Sequence, residues 1–117
     1  MTTLDQFLQR LAQSPDSIQF SDTMDVIAAH YDYTPAAFSN GAVRNEAGQN
    51  AGSCKILAFG LLTRLPEQQV LACFGDYYRK DVLQNPDGAD HQNIRNFMKS
   101  GWAGVRFDAP ALAARAA

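Results

Sequence analysis

The stretch Ser53–Leu65, SCKILAFGLLTRL, constrains the fold more than any other part of this chain. At helical spacing Cys54, Leu57, Ala58, Leu61, Leu62 and Leu65 form one apolar stripe, while Ile56 and Phe59 cover the opposite side. A helix that is apolar on both sides has to be enclosed on both sides. The segment is therefore expected to be the central element, opening at Ser53, with the rest of the chain wrapped around it. At 117 residues, 46% hydrophobic and 19% charged, the chain has the material for one globular domain over 1–117 without metal or disulfide staples.

The flanking patterns supply the wrapping. Thr3 and Gln6 have capping-box spacing, followed by Leu4, Phe7, Leu8 and Leu11 on one helical face. Ser14-Pro15-Asp16 ends that helix, and Ile18 and Phe20 alternate around Gln19 as in a short strand. Ser21 or Asp22 can cap a second helix carrying Val26, Ile27, His30 and Tyr31, and Thr34-Pro35 fits the start of a single helical turn. Pro66 opens a helix expected to run to Leu83, with Leu71, Phe74, Tyr78 and Val82 in one row. After the Asn85-Pro86-Asp87-Gly88 turn, Asp90 is placed to cap a last helix, and Gly101 to close it in a left-handed conformation. Residues 42–45 and Val105–Phe107 read as short strands, and 109–117 as a fraying Ala-rich tail. The expectation is an α+β domain, mostly helical, with a central buried helix and a few short strands.

Bulk properties exclude several functions. A net charge of −2 with dispersed Lys and Arg lacks the basic stripe of a nucleic-acid binder. No apolar run approaches the ~20 residues needed to span a bilayer, and MTTLDQFLQR lacks the features of a secretory signal. The reading is a cytoplasmic protein with no nucleic-acid or membrane partner. Cys54 and Cys73 are too few for a disulfide framework and sit in apolar patterns, so reduced and buried is expected of both. His30 and His91 are the only histidines and have no metal-ligand spacing, so neither a metal site nor a cofactor is expected.

The run Phe38–Lys55, FSNGAVRNEAGQNAGSCK, is the first place to look for a site, because a rigid scaffold can hold polar loops without burying their backbone. GQNAGSCK departs from a phosphate loop: Ser-Cys separates Gly52 from Lys55, and no strong apolar strand precedes it. A looser anion site at the helix start is compatible with these residues, as is a Ser53 that merely caps the helix. Asn40, Asn45, Asn50 and Ser53 would supply neutral hydrogen-bonding groups, and Lys55, Arg79 or Arg95 charge, for a small polar or anionic ligand. The same asparagines suit irregular turns, and the arginines suit ion pairs or apolar surface. Cys54 in a first helical turn with His91 as base, oriented by Asp90 or Asn93, is a candidate for a Cys-His hydrolase or acyltransferase. It competes with a structural thiol completing the apolar stripe. Tyr31, Tyr33, Tyr77, Trp102 and Arg79 are candidate anchors for a protein partner, or else core.

Several segments together resemble a known family. NGAVRNEAGQNAGSCKI (Asn40–Ile56), CFGDYYRKDVL (Cys73–Leu83), NPDGADHQNIRNFMKSGW (Asn85–Trp102) and GVRF (Gly104–Phe107), with FSDTMDVIAAHYDYTPAAF upstream, resemble the HopJ family of small bacterial proteins, named after a type III secreted effector. The resemblance covers nearly the whole chain. The family's name implies export into a host cell, with a protein partner there. It brings no assigned catalytic residue or cofactor to any position.

Overall fold

A computed structural model describes residues 3–115. Helix α1 (Leu4–Gln13) starts at the expected capping box, with the Thr3 hydroxyl accepting from the Gln6 amide at 3.1 Å and Gln6 Oε1 accepting from the Thr3 amide at 3.0 Å. A 3-10 turn (Pro15–Ser17) leads into α2 (Phe20–His30), so the strand expected around Ile18–Phe20 does not form. Asp22 takes the Gln19 amide at 2.9 Å, and the helix begins two to three residues earlier than the Ser21 or Asp22 cap would allow.

Strands β1 (Tyr31–Tyr33), β2 (Phe38–Asn40) and β3 (Val43–Asn45) follow, with Thr34–Ala37 between β1 and β2 in irregular chain rather than the expected helical turn. The segment is held at both ends by the chain over 108–111, the Thr34 amide donating to the Ala111 carbonyl at 2.8 Å and the Ala37 carbonyl accepting from the Asp108 amide at 3.0 Å. After α3 (Ala51–Thr63) and α4 (Glu67–Ala72), a π-helical segment (Tyr77–Val82) precedes α5 (Gln92–Ser100). A 3-10 turn (Gly101–Gly104) leads to β4 (Val105–Phe107) and then β5 (Leu112–Ala114). All strand pairings are antiparallel: β3-β2-β4 in one sheet, with Phe38 opposite both Asn45 and Phe107, and β1-β5 in the other. The architecture is α+β, with most regular structure helical.

Helix α3 is the central element. Cys54 and Ile56 through Gly60 are buried, and the ring of Phe59 meets Phe7 and Tyr31 edge-on at centroid separations of 5.9 and 5.8 Å. The enclosure stops at Gly60, however. Leu61 and Leu62 are 47% and 53% exposed, so the stripe drawn through them leaves the core one turn before the helix ends. Leu65 returns inside because Arg64 adopts a left-handed conformation (φ 57°) that turns the chain back.

Two further expectations fail for identifiable reasons. The helix from Pro66 is interrupted at Gly75 (φ +63°), where a Cβ would lie 2.5 Å from the Phe20 amide nitrogen. The start of α2 occupies that space, and only glycine lets the two backbones meet. The tail expected to fray over 109–117 instead supplies β5, with Ala111 and Leu112 buried. Ala116 and Ala117 lie outside the described residues.

Candidate functional site

The N-termini of α3 and α5 face one cleft of about 560 Å³. Both helices start from a non-glycine residue in the left-handed conformation, Asn50 (φ 49°) and His91 (φ 51°), rather than from Ser53 or Asp90. Neither side chain caps its helix. Non-glycine residues rarely adopt this conformation, which costs on the order of 1 kcal/mol or more and persists only when surrounding structure holds it. The polar wall is formed by Asn50, Ser53, His91, Gln92 and Asn93. The apolar wall comes from Phe20, Phe74, Tyr77, Val43 and Ile94.

Behind the polar wall lies a ladder of asparagines that fixes it. Asn45 and Asn93 exchange side-chain hydrogen bonds at 3.0 and 3.1 Å, each amide donating to the other's oxygen. Asn40 Nδ2 donates to the Asn93 carbonyl at 2.7 Å, and Asn50 Nδ2 donates to Asn45 Oδ1 at 2.6 Å. Asn40 and Asn45 have no exposed surface, so they cannot touch a ligand directly. They position Asn93 and Asn50, which can. In the buried interior such a network is stable only because nearly every member is satisfied.

His91 belongs to the same wall. Its ring tilts against Tyr77 with centroids 5.3 Å apart, and Nε2 lies 3.1 Å from Asp81 Oδ2 and 3.9 Å from Asp90 Oδ2. An ionised carboxylate only accepts, so Nε2 carries the proton and Nδ1 is the acceptor of the neutral ring. Asp81, not Asp90 or Asn93, is thus the orienting group. Nothing in the sequence spacing marks it, because the contact depends on how the π-helical segment meets α5.

The Cys54–His91 pairing does not assemble as a nucleophile and base. Cys54 is 1% exposed, and its thiol reaches the Ala36 carbonyl at 3.7 Å. Burial pushes its pKa up, and that effect exceeds the lowering by Ala36, Tyr33 and Lys55. A reactive cysteine needs the opposite shift. Among the described residues no hydrogen bond joins His91 to Cys54 or Ser53.

The three cations expected at the site are also employed elsewhere. Lys55 Nζ sits 4.8 Å from the centre of the Tyr33 ring. Arg79 donates to the carbonyls of Pro15 (3.3 Å) and Ile18 (2.5 Å), tying the 3-10 turn to the π-helical segment. Arg95 donates to the carbonyls of Asn85, Pro86 and Asp90 and to the Asp90 carboxylate, bracing the loop before α5. That guanidinium holds the Asp90 carboxyl below the usual carboxylate range. Of the five anchors considered for a protein partner, Tyr31 is buried, Tyr77 is exposed at the cleft, and Tyr33, Arg79 and Trp102 are half-buried, so the five do not form one surface.

A family model described as HopJ type III effector protein matches residues 4–112. The chain belongs to the HopJ family. No curated protein matches the HopJ-family chain. It is similar to a solved structure described as a crystal structure of unknown function protein VPA0580, with 57% identity and a TM-score of 0.95 over 96% of this chain and 93% of that one. The HopJ fold is thereby shared at near-complete coverage. Among the described residues of this HopJ chain no helix is long and apolar enough to cross a membrane.

Proposed function

We propose that this HopJ-family chain is a binding module whose ligand, a small polar or anionic molecule, occupies the cleft between the α3 and α5 N-termini. The observation that carries the reading is the convergence of two helix starts without side-chain caps on one cleft, with the asparagine ladder locked behind them. Free first-turn amides and the positive ends of the helix dipoles favour acceptor groups there. Asn50, Ser53 and Asn93 would contact the ligand. Asn40 and Asn45 act through them, while Lys55, Arg79 and Arg95 stay with their present partners.

Thermal-shift screening of a metabolite library tests this directly. A stabilising compound should lose its effect in Asn50→Ala and Ser53→Ala, and keep it in Lys55→Ala. A reproducible hit that both cleft variants leave untouched places the binding site elsewhere.

A second reading, a secreted effector-like domain that binds a host protein, draws on the family description and on the exposed Leu61-Leu62 pair. A reporter fused to the first residues, followed for type III-dependent export, tests it; retention of the reporter in cells with a working secretion apparatus counts against it.

A further inference from the structure

We infer that the ligand class of the cleft is a neutral planar heteroaromatic bearing a hydrogen-bond donor and an acceptor on one edge, the chemistry of a nucleobase or a pyridine carboxamide. The inference rests on the binding-module reading and narrows it. The apolar side is aromatic in a way suited to a flat ring. Phe20 and Tyr77 stand edge-to-face at 5.1 Å, Phe74 lies beside them, and Tyr77 is 43% exposed, leaving ring surface open to a guest. Gly52 sits under the Phe20 ring, where a Cβ would come within 2.8 Å of Cζ, so the ring's position depends on the absence of a side chain there.

The opposite side is made of neutral groups that both give and accept. Asn50 commits one Nδ2 hydrogen to Asn45, leaving Oδ1 and the second hydrogen for a ligand. The Ser53 hydroxyl lines the cleft and can serve either way. Side-chain amides that present donor and acceptor together match the edges of heterocyclic bases, and aromatic faces hold such rings by stacking. Among the described residues no lysine or arginine lines the cleft. Asp81 and Asp90, 3.1 and 3.9 Å from Nε2 of the cleft-lining His91, would repel a multiply charged anion. A phosphate or tricarboxylate is therefore disfavoured in the same site that suits an uncharged ring.

Adenine, uracil and nicotinamide, with sodium phosphate and citrate as charged non-aromatic probes, can be compared by saturation-transfer NMR and calorimetry on the full chain. At least one heteroaromatic should bind. Tyr77→Leu should weaken it roughly tenfold or more, the scale of a lost base–aromatic contact, and Tyr77→Phe should restore it. Tyr77 is exposed enough for both variants to fold. Binding of a heteroaromatic that is indifferent to Tyr77→Leu overturns the proposed class. Binding of citrate or phosphate alone, lost in Asn50→Ala, also overturns it while leaving the binding-module reading intact. If none of the five probes binds and the metabolite library yields no hit, both fall.

Discussion

Leu57→Ala and Leu61→Ala remove the same atoms from the same helix one turn apart, and the structure predicts very different outcomes. Leu57 is fully buried between the layers packed on α3, whereas Leu61 is 47% exposed on the turn that leaves the core. Truncating a fully enclosed leucine loses its transfer free energy and leaves a cavity, together about 3–5 kcal/mol. At Leu61 nearly half of the side chain is already in water and solvent can fill the space, so the cavity contribution vanishes and the loss should stay below about 1 kcal/mol. For 117 residues an unfolding entropy near 2.1 cal/mol/K per residue makes 1 kcal/mol worth about 4 °C. Leu57→Ala should therefore lower Tm by roughly 12–20 °C, and Leu61→Ala by about 4 °C or less. Calorimetry of the two variants beside wild type, with urea titration to confirm two-state unfolding, measures both. Equal losses would refute the placement of the core boundary at Gly60.

Other expectations follow from single contacts. Asn45→Ala leaves the buried Asn93 amide without its acceptor and frees the Asn50 side chain to solvent, and should cost about 1–3 kcal/mol in chemical denaturation; a loss under 0.5 kcal/mol means that the ladder does not hold the wall. Gly60→Ala puts a Cβ 2.9 Å from the Trp102 ring and 3.0 Å from Val70, so about 1–3 kcal/mol of overpacking is expected, with a shifted Trp102 fluorescence maximum. Burial pushes the Cys73 thiol from 9.0 up to about 12, so the folded state holds this proton more tightly than the unfolded chain does. The resulting stabilisation is complete below the unfolded value near 9 and lost as pH rises towards 12; Cys73→Ala should flatten stability over that window, and Cys73 in wild type should resist iodoacetamide at pH 8.

The elements legible in the sequence are those whose cause is local. The Thr3–Gln6 capping box, the doubly apolar α3 and the Gly101 terminus at φ 59° all depend on residues a few positions apart. The misses have distant causes. Gly75 fits equally well inside a helix until the backbone of Phe20, 55 residues earlier, removes the room for a side chain. Ala111 and Leu112 look like tail until Thr34 and β1 pair with them across most of the chain. Leu61 fits the α3 stripe by periodicity, but periodicity cannot show where the neighbouring layer ends.

The candidate site divides along the same line. The asparagines of the Asn40–Ser53 run split into two environments, because β2 and β3 bury Asn40 and Asn45 against α5 while Asn50 stays at the surface. The other half of the cleft, from Phe20, Tyr77, His91 and Asn93, arrives from three separate elements and has no signature in spacing. Arg79 and Arg95 are drawn away from the cleft by turn carbonyls. A carbonyl oxygen has two lone pairs, and in irregular turns at least one stays available, so a planar guanidinium can bond two or three turn carbonyls at once. Arg79 does this for Pro15 and Ile18, and Arg95 for Asn85, Pro86 and Asp90. Their charges hold the loops that frame the cleft and do not enter it. What remains at the cleft is a field of amide dipoles and neutral side chains, which ions in solution screen far less than they screen a lysine or arginine contact. Ligand affinity at this site should accordingly vary little between low and physiological salt, whereas an ion-paired site would weaken over the same range.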